Sequence, residues 1–266
     1  VTTYRVDGEY SDNRRPDSVF FVSDIKKDLK RRDFTINAMA YNDKDGLVDY
    51  FGGESDLQHQ IIRCVGDCNE RFNEDALRIL RALRFASTFD FMIEDKAETA
   101  IYDNKHLLSH ISAERVREEL NKLLLGKGAE KILLSFSSIL AEILPQIAFS
   151  VGYEQHNPYH IYDVWTHTVK SVSSAKNDII VRLTMLFHDL GKPLCVSAKF
   201  DDVKLRFYDH GKISAKTARE SLKKLKYDNR TIDTVYDLIY YHEARLTPDR
   251  IEIKRYLHKF GLDKFK

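Results

Sequence analysis

The chain has 266 residues, 43% of them hydrophobic and 31% charged, and a formal net charge of +1. That length supports two domains with cores of their own, and the near-neutral balance excludes a protein that coats a nucleic-acid duplex. No apolar run reaches the roughly 18 residues of a membrane span, and an odd set of cysteines (Cys64, Cys68, Cys195) without a signal-peptide pattern argues against a disulfide framework. Cys64 and Cys68 read as buried structural thiols, and the cytoplasm is the expected location.

Residues 1–24 read as strand and loop, with Gly8, Asn13 and Pro16 as breakers. Residues 24–42 look helical, with Lys26 and Lys27 on a solvated face. Between 43 and 65, turn signals alternate with short apolar runs such as Leu47-Val48-Asp49-Tyr50 and Ile61-Ile62-Arg63-Cys64-Val65, as in the last strands of a small sheet. From Asn69 onward the period is helical, with helices expected at about 74–88, 94–104, 112–125, 128–135 and 137–143 and stops at Gly126, Gly128 and Pro145.

Two segments in this half carry chemistry. The first is Arg31-Arg32-Asp33-Phe34-Thr35-Ile36-Asn37-Ala38, a polar cluster running into a helix-like stretch. The second, Glu74-Asp75-Ala76-Leu77-Arg78-Ile79-Leu80-Arg81, opens the 74–88 helix. Residues three apart on a helix are neighbours about 60° out of register. Asp75, Arg78, Arg81 and Arg84 therefore form a slanting polar stripe, opposite a core face of Ala76, Leu77, Ile79, Leu80, Leu83 and Ala86. A solvated face laced with ion pairs is one account of the stripe. The other is a ligand that is both polyanion and flat polar edge. Asp75 beside Arg78 can imitate the hydrogen-bonding edge of a base, leaving Arg81 and Arg84 for phosphates.

The two segments resemble motifs of the class II tRNA nucleotidyltransferases, the CCA-adding enzymes and their bacterial poly(A) polymerase relatives. Asp49-Tyr50-Phe51-Gly52-Gly53-Glu54-Ser55-Asp56-Leu57 is similar to the flexible element joining head to neck, and Ile111-Ser112-Ala113-Glu114-Arg115-Val116 to the helix start that braces the neck. The resemblance implies that Arg32, Asp33 and Asn37 grip ribose and triphosphate, that Asp75 and Arg78 read the base, and that Arg81 and Arg84 support them or the phosphates. The family's Mg²⁺ ions sit on an Asp-x-Asp pair after a GGxVRD turn. No such pair precedes Arg31, and Val1-Thr2-Thr3-Tyr4-Arg5 resembles a later strand of that sheet. The expectation is an N-terminally truncated chain with no catalytic carboxylate of its own, able to bind nucleotide without polymerising it.

After Pro145 a second constellation appears. His167 lies in Tyr162-Asp163-Val164-Trp165-Thr166-His167. His188-Asp189 ends the apolar stretch Val181–Phe187 and precedes Leu190-Gly191-Lys192, and His210 and His242 follow. Imidazoles with a carboxylate suit Mg²⁺, Mn²⁺, Fe²⁺, Ni²⁺ or Zn²⁺. Adjacent helical residues point about 100° apart, so His188 and Asp189 reach one ion only from a helix end or a wide cleft. This half resembles the HD superfamily of metal-dependent phosphohydrolases, whose signature is H…HD…D. By that resemblance His167, His188 and Asp189 are direct ligands of a divalent metal of unspecified identity, and His210 and His242 are candidates for a second. The closing Asp is missing: Asp263 is too near the end and Asp249 reads as a helix start, so the C-terminus is also expected to be truncated.

The implied fold is α+β, mostly α, with a partial nucleotidyltransferase head (1–66), a helical neck and body (67–150) and an all-α HD domain (151–266). The implied activity is CCA addition to tRNA from CTP and ATP with Mg²⁺. The acceptor end of tRNA is the expected partner, with no membrane or DNA involved. An A-adding, CC-adding or poly(A) polymerase activity would use the same motifs. Phosphohydrolysis by the HD domain with the head as an RNA clamp is a reading of another class, as is a noncatalytic RNA-binding protein.

Overall fold

The computed structural model describes residues 3–8, 17–156, 161–195, 207–244 and 247–262; Val1, Thr2, Asn13, Pro16 and Asp263 lie outside them. The fold is α+β and mostly helical, its described strands confined to short pairs. The chain divides into two compact units, Val1–Ile132 and Leu133–Lys266.

In the first unit, β1 (Arg5–Asp7) pairs antiparallel with β2 (Val19–Phe21). Helix α1 (Ile25–Lys30) starts where Asp24 accepts the Lys26 amide at 2.9 Å, and it buries Asp28 and Leu29 while Lys26 and Lys27 stay exposed. The helix expected over 24–42 stops at Lys30. Beyond it come a single 3-10 turn over Thr35–Asn37 and then β3 (Met39–Asn42), hairpinned to β4 (Gly46–Asp49).

Tertiary pairing overrides the helical pattern here. Phe34 bridges Cys64 antiparallel, the Thr35 amide donates to Arg63 O at 2.9 Å, and the Val65 amide donates to Asp33 O at 3.0 Å. Those distant carbonyls and amides satisfy backbone groups that a helix would have satisfied locally. The β-branched Thr35 and Ile36 gain little from helix in any case.

Helix α2 (Gly53–His59) and β5 (Ile61–Ile62) lead to α3 (Cys68–Glu74), capped by Asp67. The expected helix from residue 74 is broken: Asp75 is extended (φ −143°, ψ 101°), and α4 (Leu77–Phe89) begins after it. Helix α4 buries Leu77, Ile79, Leu80, Ala82, Leu83 and Ala86, each large side chain contributing roughly 1.5–3 kcal/mol of transfer free energy. Next come β6 (Met92–Ile93), parallel to β5, then α5 (Asp95–Asn104) and α6 (Ala113–Leu124). Helices α4 and α6 pack together, and the turn after α6 needs Gly126, where a Cβ would lie 2.1 Å from Ser87 Oγ.

Helix α7 (Ala129–Ser135) carries the chain across the division to α8 (Ser137–Ile143). In the second unit α9 (Val164–Ser174), α10 (Ile179–Phe187), α11 (His210–Lys224) and α12 (Asn229–Tyr240) pack on one another, followed by α13 (Arg250–Phe260). Asp163, Asp178, Asp228 and Asp249 each accept first-turn amides of the helix that follows, which places these starts in the local sequence. Asp249 is thus a helix cap, as its Pro248-Asp249 context predicts.

Candidate nucleotide cleft and metal centre

In the first unit the Arg31–Asn37 segment, the α3–α4 break and α6 converge on an open cleft of about 480 Å³. Arg31, Arg32, Asp33, Asn37, Asp75, Leu77, Arg78, Arg81, Phe85 and Arg115 line it. Six of the seven residues expected at a nucleotide site therefore share one wall system, although Arg32 and Arg81 are far apart in sequence.

Asp33 organises one side. Its Oδ2 accepts from Arg81 Nε at 2.6 Å, while Oδ1 accepts the Phe34 amide at 2.9 Å and Asn37 Nδ2 at 3.3 Å. Arg32 donates to Asn37 O at 3.2 Å and to Asp28 Oδ2 at 3.4 Å. Its Nε is buried with no partner among the described residues.

On the other side Arg78 is held by the Glu74 carboxylate at 2.5 Å, Arg71 O at 3.0 Å and Arg31 O at 3.1 Å. Asp75 is not on the arginine helix, contrary to the expected stripe. Its Oδ1 accepts the Leu77 amide at 3.1 Å, capping α4, and its Oδ2 accepts from Arg115 Nη2 at 2.6 Å. The break brings Asp75 and Arg78 to one cleft from different backbone directions. Arg84 is outside it: its Nε donates to Glu119 at 2.9 Å and its guanidinium lies 3.5 Å over the Phe85 ring, so it is not free for phosphate. Arg115 and Glu74 take roles that spacing did not assign, because Arg115 is 40 residues from its partner and Glu74 belongs to the preceding helix.

In the second unit His188 is the cap residue that ends α10, so Asp189 projects from the helix end, as two adjacent ligands require. Asp189 Oδ2 lies 3.3 Å from His167 Nε2 and 3.2 Å from His188 Nε2; its Oδ1 lies 3.2 Å from His210 Nε2 and 3.8 Å from His242 Nε2. All five expected residues meet around one buried carboxylate, which faces a pair of histidines on each side.

The tautomers show what belongs between them. His188, His210 and His242 donate Nδ1–H to the carbonyls of Met185 (2.7 Å), Phe207 (2.8 Å) and Ile239 (2.6 Å). Their Nε2 lone pairs then face a carboxylate and one another, with His188 and His167 Nε2 atoms 3.3 Å apart and those of His210 and His242 3.2 Å apart. Lone pairs in such contact need a cation, and a ring fixed by a carbonyl at Nδ1 is the usual orientation of a metal-bound histidine. The residues fit one divalent ion on each side of Asp189.

Protons answer the same demand when no metal does. Burial works to raise the Asp189 carboxyl, but hydrogen bonds from His188 and His210 and the charge of Lys192 hold it well below the usual range. Burial works to lower His210, but its bond to Asp189 and its carbonyl contact push it up; burial prevails at His242, which is pushed down. Lys192, buried, donates to Asp189 Oδ2 at 2.7 Å and to Gln155 Oε1 at 2.9 Å, two contacts that sequence reasoning did not assign.

Residues 1–63 match the poly A polymerase head domain, 90–150 match the probable RNA and SrmB-binding site of polymerase A, and 158–258 match the HD domain. In its first half the chain is thus similar to poly(A) polymerases and CCA-adding enzymes, and in its second half to HD-domain proteins.

Among the relatives it resembles, the CCA-adding enzyme of Bacillus licheniformis is 53% identical over 133 residues, covering 50% of this chain and 34% of that protein. That of Lactococcus lactis subsp. cremoris is 54% identical over 126 residues, covering 47% of this chain and 31% of that protein. The chain thus spans about a third of the curated relatives it matches. The crystal structure of the Bacillus stearothermophilus CCA-adding enzyme in complex with CTP matches over 100% of this chain and 56% of that one, with TM-score 0.69 and 30% identity. Among the described residues, no helix is long and apolar enough to cross a membrane.

Proposed function

We propose that the chain is the nucleotide-binding and HD portion of a tRNA nucleotidyltransferase whose whole protein adds C, C and A to tRNA 3′ ends from CTP and ATP in the cytoplasm. The observation that carries this is the cleft, where Arg32, Asp33, Asn37, Asp75, Arg78 and Arg81 converge from two separate segments. The relatives named as CCA-adding enzymes and the fold match to a CTP complex support it.

In this reading residues 1–66 are the head, 67–150 the neck and body, and 151–266 the HD domain. Asp75 with Arg78 selects the base, Asp33, Asn37 and Arg32 hold ribose and phosphates, and Arg81 links the two sides through Asp33. Arg84 braces the neck through Glu119. Mg²⁺ is the proposed ion of the addition step. An Asp-x-Asp pair ahead of Arg31, which would hold it, is not among these 266 residues, so the chain by itself is proposed to bind nucleotide without adding it.

His167, His188, Asp189, His210 and His242 are proposed to hold divalent metal for hydrolysis of phosphoesters at RNA ends. Such an ion would polarise a phosphoryl oxygen and supply hydroxide at neutral pH. Lys192 holds the Asp189 carboxylate in place from the protein side.

Calorimetric titration tests the cleft: CTP and ATP are expected to bind weakly and GTP and UTP more weakly still. In the whole protein, Asp75→Ala or Arg78→Ala is expected to erode CTP/ATP selectivity by about ten- to a hundred-fold, the worth of roughly 1.5–3 kcal/mol of hydrogen bonding to charged groups. Equal incorporation patterns in wild type and both variants would overturn the base-reading role. Mg²⁺-dependent extension of tRNA by this chain alone would place the catalytic carboxylates elsewhere in it.

A further inference from the structure

Cys64 and Cys68 lie on neither proposed site, yet the fold brings them together. Cys64 is in the extended segment that bridges Phe34, and Cys68 opens α3. Between them Gly66 takes a left-handed conformation (φ +81°) and Asp67 caps α3, accepting the Glu70 amide at 3.0 Å. That turn folds Cys68 back onto Cys64, so that the two thiols share a hydrogen bond.

Both are free thiols in the structure, and both line an open cavity of about 730 Å³ beside Arg63 and Glu94. The cavity shares no lining residue with the nucleotide cleft. Cys195, the third thiol, is buried in the other unit with no cysteine beside it. The shared hydrogen bond also separates the pair chemically. The bond from Cys64 draws the Cys68 thiol down against the effect of burial, while the same bond together with burial pushes Cys64 up. Cys68 is therefore the more acidic thiol of the pair and Cys64 the less acidic.

We propose that Cys64 and Cys68 form a peroxide-sensitive dithiol that closes to a reversible disulfide. The Cys68 thiolate attacks hydrogen peroxide, an S–O bond forming as the O–O bond breaks. The departing hydroxide takes a proton and leaves as water, and Cys68 becomes a sulfenic acid. The Cys64 sulfur then attacks the Cys68 sulfur, forming S–S as S–O breaks, and its proton leaves with the hydroxide as a second water. The dithiol gives up two electrons and the peroxide takes both. Hydrogen peroxide is small enough to enter by the cavity, and the resolving thiol is already in contact, so closure outruns further oxidation at Cys68.

The test treats the whole chain with hydrogen peroxide, quenches it, denatures it and alkylates every remaining thiol before intact-mass and peptide analysis. The expected result is loss of two of the three alkylatable thiols, a mass lower by two hydrogens, a Cys64–Cys68 cross-linked peptide, Cys195 still alkylated, and full recovery with dithiothreitol. Unchanged alkylation of Cys64 and Cys68, or their conversion to sulfinic acid without a cross-link, would overturn the proposal. With Cys64→Ser, dimedone is expected to trap a sulfenic acid at Cys68; with Cys68→Ser, no adduct is expected at Cys64. An adduct at Cys64 would overturn the assigned order. The wild-type measurement stands without either variant, so a folding defect in one leaves the proposal open to refutation.

Discussion

The Asp28 carboxylate accepts the Arg5 amide at 3.1 Å and Arg31 Nη2 at 2.8 Å, and it lies 3.4 Å from Arg32 Nη2. It is almost fully buried, which by itself raises its pKa, but the bonds from Arg31 and the Arg5 backbone outweigh burial and hold it below its ordinary value. A folded pKa below the unfolded one means that the carboxylate stabilises the fold above the unfolded value, about 3.9, and loses that contribution as pH falls through the folded one. Asp28→Asn is therefore expected to lower the melting temperature of the first unit at neutral pH. The gap to wild type should narrow below about pH 4. Thermal unfolding of both proteins between pH 7 and 3 checks this, and a gap that is constant across the range would remove Asp28 from the account. The consequence reaches the cleft, because Asp28 orients Arg31 and Arg32, which line it.

Gly191 decides how closely two helices of the metal centre approach. A Cβ there would lie 2.6 Å from Ser214 N and 3.0 Å from His210 O, both on α11, and the Gly191 amide donates to Ser214 Oγ at 2.9 Å. Only a residue without a side chain lets α11 sit against the turn after α10, and that approach puts His210 Nε2 3.2 Å from Asp189. Gly191→Ala is expected to push α11 outward and remove metal from the His210–His242 side while sparing the His167–His188 side. Elemental analysis after loading with Mn²⁺ or Ni²⁺ reads this as a loss of stoichiometry relative to wild type; an unchanged metal content would show that α11 does not need the contact.

At the scale of the whole molecule the two candidate sites fall in two compact units. The cleft residues all lie in Val1–Ile132 and the metal-centre residues all in Leu133–Lys266. His188→Ala or Asp189→Ala is expected to abolish bound metal and hydrolysis of phosphoesters while leaving CTP titration within about twofold of wild type, since changes at sites in separate units that share no partner act independently. Equal metal content in wild type and both variants would reduce the His188-Asp189 pair to a structural role. A large loss of CTP affinity would show coupling between the sites.

What the sequence by itself determined was local. Aspartates before helical runs set the helix starts, the three-to-four-residue apolar period set the α4 core face, and the order of the polar motifs carried the family resemblance. The meeting of His167, His188, Asp189, His210 and His242 around one carboxylate was also legible, through the resemblance to the HD signature. Only the tertiary structure decided the rest. Arg31–Asn37 left the helix because Arg63, Cys64 and Val65 supply its backbone partners from a distant strand-like segment. Asp75 fell in a break rather than on the arginine stripe because its carboxylate caps α4 and meets Arg115. Arg84 turned from the cleft to Glu119, and Lys192 and Gln155 closed around Asp189. Asp75–Arg115, Arg84–Glu119 and Lys192–Gln155 pair residues 35 to 40 apart in the chain, and periodicity records only which face a residue occupies, not which partner the folded chain brings to it.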